Sequence, residues 1–236
     1  MSTQPSGRKF SYDEYARTRP PDDFWGQVLR TVQGVPVPED QIERIVAAIC
    51  TGLNFEPEDV LLDIACGNGA LSQRLFGRCA GFLGVDLSQH LISVARTNFE
   101  KLPNFGFLEV GAGDYVTTET SPKRFTKVLC YGSFQYLSEN EAIQVLRTLY
   151  EKFTRVRRCF IGNLPDRDHA ADFYKRTPGR NELSNHETAT GCWRTRQEFE
   201  YLVRQSGWKV SFSTMPPEFY ASYYRYDALL MRDTGK

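Results

Sequence analysis

Residues 60–69 read V-L-L-D-I-A-C-G-N-G, and this stretch decides the fold. The first five positions are apolar except for Asp63, a pattern typical of a buried strand. Small and turn-forming residues follow, and a new periodic segment begins at Ala70. The stretch therefore predicts a strand, a tight loop and the start of a helix. Such a loop lies at the carboxyl end of a strand, where open α/β sheets bind ligands, and its glycines let a ligand approach the backbone closely.

The spacing of the small residues in this loop argues against a dinucleotide ligand. A dinucleotide-binding loop has glycines spaced G-x-G-x-x-G, so that the pyrophosphate lies on the amides of the following helix. With Gly67 as the middle glycine, the outer two positions hold Ala65 and Ala70. Asp63 would repel a pyrophosphate, whereas it can accept hydrogen bonds from an ammonium-bearing ligand. An NAD-dependent dehydrogenase is therefore the least favoured hypothesis.

Residues 63–69 resemble the first motif of the class I S-adenosylmethionine-dependent methyltransferases, an acid followed by G-x-G-x-G. Ala65 replaces the first glycine, and we expect its methyl group to be tolerated if φ there is negative. The resemblance implies S-adenosylmethionine as cofactor, with Asp63, Ala65 and Gly67 at its methionine end. It also implies a Rossmann-like α/β fold, a doubly wound, mostly parallel sheet of seven strands with the last strand antiparallel. A plain strand-to-helix turn is the alternative interpretation.

Two more acids follow predicted strands. Asp86 ends the strand predicted at 81–86, about 20 residues beyond the loop, a separation at which a carboxylate can bind ribose hydroxyls. We expect Asp86 and the adjacent Leu87 to contact the nucleoside. Asp114 follows a third strand, and in the resemblance it matches the residue that binds the adenine edge, with Tyr115 covering the ring. A helix cap at Asp86 and a turn at Asp114 are the structural alternatives.

The fourth predicted strand, 125–131, ends at Tyr131, which we expect to border the cofactor. The loop beyond it contains neither D/N-P-P-Y/F, which grips a base amino group, nor a Pro-Cys nucleophile, nor an aspartate of the kind that binds magnesium in catechol-type enzymes. These absences favour a metal-independent enzyme acting on a small molecule, with Gln135 among the acceptor contacts. An acid often stands in the family where this chain has Thr126.

Two segments outside the sheet pattern are candidates for the acceptor site. The aromatic and basic segment 1–37 either covers one sheet edge or forms a lid from which Tyr15 or Arg19 reaches the site. It precedes a domain predicted at 38–236. Residues 163–193 form a long, polar insertion, which is more often a functional lid than filler. This insertion contains Tyr174, a further predicted acceptor contact.

Composition limits the partners. The chain has 236 residues and a formal net charge of zero, so it lacks the long-range field that would collect nucleic acid. There is no apolar run of the roughly 20 residues that a membrane span requires. Six cysteines without a C-x-x-C pair indicate a reducing compartment and predict neither zinc nor a disulfide. We expect a soluble, cytoplasmic monomer or homodimer that binds no nucleic acid and no membrane.

The sequence thus predicts transfer of a methyl group to an O or N atom of a small-molecule metabolite by direct displacement. If the acceptor must lose a proton, His186 is the first candidate base and His169 the second. Both are equally compatible with surface histidines in a mobile loop. The alternative is a non-catalytic, nucleoside-binding regulatory or scaffold protein, which the missing acid at Thr126 and the lack of an evident base leave open.

Overall fold

The computed structural model describes residues 10–232, so the part of the predicted N-terminal segment before Phe10 lies outside the described residues. The strands in this range are β1 (Thr31–Val32), β2 (Val35–Pro36), β3 (Val60–Ile64), β4 (Gly81–Asp86), β5 (Phe105–Glu109), β6 (Lys127–Tyr131), β7 (Arg158–Pro165), β8 (Lys209–Ser213) and β9 (Arg225–Met231).

The α-helices of the same range are α1 (Tyr12–Arg17), α2 (Phe24–Gln27), α3 (Glu39–Leu53), α4 (Gln89–Phe99), α5 (Ala112–Thr118), α6 (Glu139–Lys152), α7 (Ala170–Tyr174), α8 (Arg180–Ser184) and α9 (Arg196–Arg204). Short 3₁₀ helices occupy Ser72–Arg78, Pro122–Arg124, Phe134–Tyr136 and Arg167–His169. No helix of residues 10–232 combines the length and the apolarity needed to cross a membrane.

Seven strands form the central sheet in the order β5-β4-β3-β6-β7-β9-β8, while β1 and β2 form a separate hairpin. Strands β3 to β7 run parallel to one another, and β9 runs antiparallel to both β7 and β8. The predicted doubly wound sheet with an antiparallel last strand is confirmed. The strand order reverses between β3 and β6, and ligands of open α/β sheets bind at such a switch point.

Alternating side chains of the central strands pack on opposite faces of the sheet, as the period of two requires. Leu62 and Val128 belong to the core on one face, where Val145 of α6 and Phe199 of α9 also pack. Their neighbours Leu61 and Leu129 belong to the core on the other face, together with Ile45 of α3. Both faces of the sheet are therefore covered by helices, and β3 and β6 are held in a fixed register at its centre.

Side-chain caps define where two of the helices begin. Ser138 accepts a hydrogen bond from the backbone N–H of Glu141 and starts α6. Thr195 and Glu198 form a reciprocal capping box at the start of α9. These caps place the first residues of α6 and α9 at Glu139 and Arg196.

The structure differs from the sequence prediction in two places near the site. Strand β7 continues to Pro165, so the first three residues of the predicted insertion belong to the sheet. The rest of the insertion packs on a small core of its own, formed by Ala170, Leu183 and Trp193 with Phe173, Tyr174 and Tyr224 around them. Phe173 and Trp193 of the insertion pack in this core against Tyr224, the residue before β9.

Candidate functional site

A cavity of about 660 Å³ lies at the carboxyl ends of β3, β4 and β6, the edge at which the strand order reverses. Its volume is typical of small-ligand sites, which range from about 300 to 1,000 Å³. The floor is formed by residues 63–68 and 86–88, and residues 131–133 form one wall. Residues 10–14 and 186–188 cover it from above. The N-terminal segment and the insertion thus meet over one ligand-sized space.

The glycine loop is held to the next strand end by a direct hydrogen bond. Gly67, at φ +59°, donates its backbone N–H to Oδ2 of Asp86 at 2.9 Å. Ala65 has φ +57°, so the expectation of a negative φ there is wrong. The tight turn forces residue 65 into the left-handed region, where a methyl side chain costs about 1–2 kcal/mol relative to the right-handed one. Ala65 nevertheless lines the cavity, so its predicted contact with the cofactor stays a prediction.

Asp86 is placed to bind a ligand with the acceptor capacity that it has left. Its Oδ1 accepts from the backbone N–H of Ser88 at 2.8 Å, and a carboxylate with about four lone-pair sites keeps acceptor capacity beyond its backbone donors Gly67, Leu87 and Ser88. Burial raises the pKa of Asp86, although its backbone hydrogen bonds oppose the rise. Leu87 lines the cavity with 78% of its surface exposed, which leaves its side chain free to cover a ring.

Asp63 lies deeper, on the floor of the cavity, with 3% of its surface exposed. Its Oδ2 accepts from the hydroxyl of Ser72 at 2.6 Å. Burial raises the pKa of Asp63 to about 7; the Ser72 hydrogen bond and the charge of Arg30 oppose this rise, and the charge of Asp86 adds to it. A cationic group bound here would favour the ionised carboxylate.

Arg30 is a cation whose charge acts on Asp63, and no pattern in the sequence pointed to it. It lines the cavity, is 9% exposed, and its guanidinium carbon lies 5.3 Å from the ring centroid of Tyr131. No ion pair joins Arg30 to a carboxylate of residues 10–232. Tyr131 lines one wall of the cavity, and its buried hydroxyl has no hydrogen-bond partner within residues 10–232. An arginine and a phenol are therefore available to an anionic ligand group.

The N-terminal segment reaches the cavity because two of its side-chain contacts dock it there. Asn68 of the glycine loop donates to the carbonyl of Phe24 at 2.8 Å and to Oε1 of Gln27 at 2.9 Å. Asp13 accepts from the Ser88 hydroxyl at 2.6 Å and from the His90 backbone N–H at 2.9 Å. Burial acts to raise the pKa of Asp13, but these hydrogen bonds and Arg17 lower it to about 2. No pattern in the aromatic N-terminal segment predicted that Asp13 would bind Ser88 and His90.

The cover over the cavity is closed by hydrogen bonds between the two segments. The hydroxyl of Tyr12 donates to that of Tyr136, which donates to the carbonyl of Ala189 at 2.9 Å. The backbone N–H of Phe10 donates to the carbonyl of Glu187 at 3.0 Å. These bonds connect the N-terminal segment, the loop after β6 and the insertion.

Two predicted adenine contacts lie outside the cavity. Tyr115 is 5% exposed and packs in the core, where its hydroxyl contacts Glu119 and Arg124. Asp114 is exposed on the first turn of α5 and does not line the cavity, whereas Ala112 does. The prediction for Tyr115 is wrong because α5 begins at Ala112, which turns residue 115 toward the core. The placement of Asp114 gives its predicted role no support.

Four predicted acceptor contacts also lie outside the cavity lining. Tyr15 packs against Phe10, and Arg19 pairs with Asp23 at 2.9 Å. Residues 12 to 14 of α1 line the cavity, and Tyr15 does not, so the prediction chose the wrong side chain of this helix. Gln135 is 1% exposed and donates to the Gly132 carbonyl, and Tyr174 bonds the Thr190 hydroxyl within the insertion.

The two candidate bases are separated by the structure. His186 lines the cavity. His169 is exposed near the beginning of the insertion, and its Nδ1 lies 3.3 Å from Oδ2 of Asp172. It does not line the cavity. Among residues 10–232, no group of His, Cys, Asp and Glu side chains could hold a metal ion, and all six cysteines are unpaired. Of the two histidines, His186 alone is placed to reach a bound ligand.

Comparison with known proteins agrees with this geometry. Residues 61–154, which contain the glycine loop, Asp86 and Tyr131, match the family model described as a methyltransferase domain. Over residues 61–154 the chain is therefore similar to the methyltransferase domain family. Its matched segment begins in β3 and ends just after α6, so it covers the cofactor half of the sheet but neither the N-terminal segment nor the insertion.

Similar proteins share only part of this domain in sequence. A probable cobalt-precorrin-6B C(15)-methyltransferase of Methanococcus vannielii is 35% identical over 35% of this chain and 44% of its own length. A probable ribosomal RNA small subunit methyltransferase A of Methanosarcina acetivorans is 37% identical over 31% of this chain and 24% of its own. The chain therefore spans less than half the length of either relative.

The fold is shared more widely than the sequence. The magnesium protoporphyrin IX methyltransferase of Synechocystis PCC 6803, solved with bound SAH, superposes with a TM-score of 0.59 at 16% identity and covers 83% of each chain. This likeness shows that most of the chain has the fold of that methyltransferase.

Proposed function

We propose that this protein is an S-adenosylmethionine-dependent methyltransferase that methylates an O or N atom of a small molecule. The observation that carries the proposal is the bond between Gly67 and Asp86 on the floor of the cavity. It joins a glycine loop that admits a ligand to a carboxylate with spare acceptor capacity, one strand away. The similarity of residues 61–154 to a methyltransferase domain and the shared fold support the proposal.

Each part of the donor has a chemical counterpart along the cavity floor. The ammonium of the methionine moiety fits Asp63, a buried carboxylate that forms no ion pair within residues 10–232. The methionine carboxylate fits Arg30 and the free hydroxyl of Tyr131. The ribose hydroxyls fit Asp86, and Leu87 covers the nucleoside. Ala65 and Gly67 bring the backbone close to the methionine end.

Methyl transfer needs alignment more than it needs acid–base groups. The sulfonium methyl is electrophilic, and an acceptor lone pair must lie in line with the S–CH₃ bond while water is excluded. Positioning of this kind supplies roughly 7–11 kcal/mol of the barrier. The cover formed by Phe10, Tyr12, Tyr136 and Glu187 serves this purpose. His186 is the side chain we assign as base for an acceptor that must lose a proton, a contribution of about 10² to 10⁴ in rate.

A small acceptor is favoured by the enclosure of the site. We propose that the N-terminal segment 1–37 and the insertion 163–193 of the methyltransferase domain, through residues 10–14 and 186–188, frame an acceptor that fits beneath them. A formal net charge of zero gives no general attraction for RNA. The unpaired cysteines are compatible with a reducing, cytoplasmic compartment.

Two measurements test this function. Calorimetry with S-adenosylhomocysteine is expected to show one binding site per chain. Absence of binding would contradict the proposed function. Incubation with methyl-radiolabelled donor and separated metabolite and RNA fractions of a cell extract is expected to label the metabolite fraction. Labelled RNA would exclude the small-molecule acceptor. Donor binding without transfer to either fraction would favour the non-catalytic alternative.

A further inference from the structure

Glu141 lines the cavity with a carboxylate that has acceptor capacity to spare. It is the third residue of α6, and its backbone N–H donates to the Ser138 hydroxyl that caps this helix. Within residues 10–232, no hydrogen bond or ion pair engages its side-chain oxygens. The side chain is partly buried and belongs to the lining of the cavity. A bound group that donates hydrogen bonds can therefore reach this carboxylate.

The start of α6 offers Glu141 a local partner that it does not use. Residues 138–141 have the S-x-x-E spacing of a capping box, in which the glutamate accepts from the backbone N–H of the serine. Thr195 and Glu198 form both bonds of such a box at the start of α9. At α6 only the serine hydroxyl takes part. Oε1 of Glu141 lies beside Gly113 instead, 3.6 Å from where a Cβ of that residue would be.

The contact with Gly113 places Glu141 at the end of the cavity that β4 and β5 form. The backbone N–H of Val110, just after β5, donates to the carbonyl of Asp86 at 2.9 Å, so these two strand ends lie side by side. Ala112 lines the cavity between Val110 and Gly113. Strands β3 and β6, which carry the proposed methionine contacts, lie on the other side of β4 in the sheet. Glu141 is therefore at the opposite end of the cavity from those contacts.

The proposed donor extends along this line of strand ends. With its amino acid moiety at β3 and β6 and its ribose on Asp86 at β4, its base extends toward β5 and the start of α6. Leu87, after β4, and Leu137, before the cap of α6, line the cavity and offer apolar surface to a planar ring. The 6-amino group on the edge of adenine is a hydrogen-bond donor, and an ionised carboxylate only accepts. Glu141 and this amino group are thus chemically complementary.

The remaining acids have other positions. Within residues 10–232, the other acids that line the cavity are Asp63 and Asp86 of its floor and Asp13, Glu14 and Glu187 of the segments that cover it. Asp114, which the sequence resemblance matched to the adenine edge, does not line the cavity. The carboxylate that lines the cavity beside the end of β5 is that of Glu141.

We propose that Glu141 makes the site specific for adenine by accepting a hydrogen bond from the 6-amino group of the methyl donor. This inference rests on the proposed methyltransferase function, because it assigns a position to the base of S-adenosylmethionine. The two leucines contact any purine, whereas the carboxylate requires a donor at position 6. A purine without that donor takes the place of water around the acid and leaves it without a partner. Glu141 is therefore a specificity-determining residue for the donor.

The test compares S-adenosylhomocysteine with its 6-deamino analogue, in which hydrogen replaces the amino group of the purine. Calorimetry on the unaltered protein is expected to show that S-adenosylhomocysteine binds about tenfold or more tightly than the analogue, because the lost hydrogen bond has a charged acceptor. Glu141→Met is expected to abolish this preference. Glu141→Gln is expected to keep part of it, because the amide oxygen still accepts but carries no full charge.

The matched control is Glu139→Met. Glu139 is an exposed acid in the same first turn of α6 and does not line the cavity, so its loss alters the helix start without touching the ligand. We expect this variant to keep the full preference for S-adenosylhomocysteine. Loss of the preference in both methionine variants would assign the effect to the helix start and overturn the role of Glu141.

Binding of S-adenosylhomocysteine separates failure of this inference from failure of the function. If the unaltered protein binds S-adenosylhomocysteine and the analogue equally, or if Glu141→Met keeps the preference, the inference is overturned while the function stands. If S-adenosylhomocysteine does not bind, the proposed function itself fails. A crystal of the unaltered protein with S-adenosylhomocysteine decides the question even if the variants do not fold. We expect the 6-amino nitrogen within about 3.2 Å of a Glu141 oxygen, and an amino group with a different partner would overturn the inference.

Discussion

The backbone N–H of Gly67 and the carboxylate of Asp86 are joined at 2.9 Å, so the loop after β3 and the end of β4 form one binding unit. Asp86→Ala removes both the support of the loop and the ribose acceptor. Hydrogen bonds to charged groups contribute about 1.5–3 kcal/mol each, so we expect affinity for S-adenosylhomocysteine to fall by roughly 10- to 100-fold or more.

The matched control for this variant is Asp114→Ala. Asp114 is exposed and lies outside the cavity lining, so we expect its variant to bind S-adenosylhomocysteine as the unaltered protein does. Calorimetry on both variants makes the comparison. If both variants lost affinity for S-adenosylhomocysteine equally, Asp114 would be a ligand contact, contrary to its position outside the cavity lining.

Binding of the donor product is expected to depend on pH through Asp63. Its pKa is raised to about 7, so below pH 7 the free protein carries a proton there that must leave before the ligand ammonium binds. Affinity therefore increases with pH, by roughly fivefold between pH 6 and pH 7. The ligand amino group stays protonated in this range, since such groups titrate at about 7.7–8.0. Calorimetry at both pH values measures the change, and a flat profile would remove Asp63 from the ammonium site.

The left-handed conformation of Ala65 predicts a gain in stability on substitution. Ala65→Gly relieves a strain of about 1–2 kcal/mol, part of which is offset by the greater freedom of glycine in the unfolded chain. We expect the free energy of unfolding to rise by about 0.5–1 kcal/mol in urea titrations. Ala47→Gly, in the exposed middle of α3, should instead lower it by about 0.5–1 kcal/mol. A loss at both positions would contradict the strain.

The cover over the cavity predicts a local change on ligand binding. Hydrogen exchange should slow in residues 10–14 and 186–188 when S-adenosylhomocysteine is added, because these residues line the occupied space. Residues 175–180, in the same insertion but away from the cavity lining, serve as an internal control and should exchange at the same rate. Uniform behaviour of the whole insertion would argue against a role of residues 186–188 in closure.

The sheet and the cofactor side of the site were accessible from the sequence because local rules determine them. Apolar strands ending in Asp63 and Asp86 bring both acids to one edge whatever the details of packing. The same reasoning failed at Tyr115 and Tyr15. Each lies in a helix, where a shift of one residue rotates a side chain by about 100°.

Contacts between distant segments were the larger omission. Arg30 and Asp13 lie at the site because the N-terminal segment is bound there by hydrogen bonds with Asn68 and Ser88. Hydrophobic spacing and short motifs do not predict such contacts between distant segments. Asn163 was predicted to lie in the insertion rather than in β7. Its position within β7 coincides with a register shift between β7 and β9 that hydrophobic spacing does not reveal.

The structure of a crystal soaked with S-adenosylhomocysteine would show whether the cavity binds the methyl donor as proposed. We expect the ligand in the cavity at the ends of β3, β4 and β6, with its ribose hydroxyls within hydrogen-bonding distance of Asp86 and its amino acid moiety between Asp63 and Arg30. Ligand bound elsewhere, or bound in this cavity with its ribose away from Asp86, would contradict the proposed donor site.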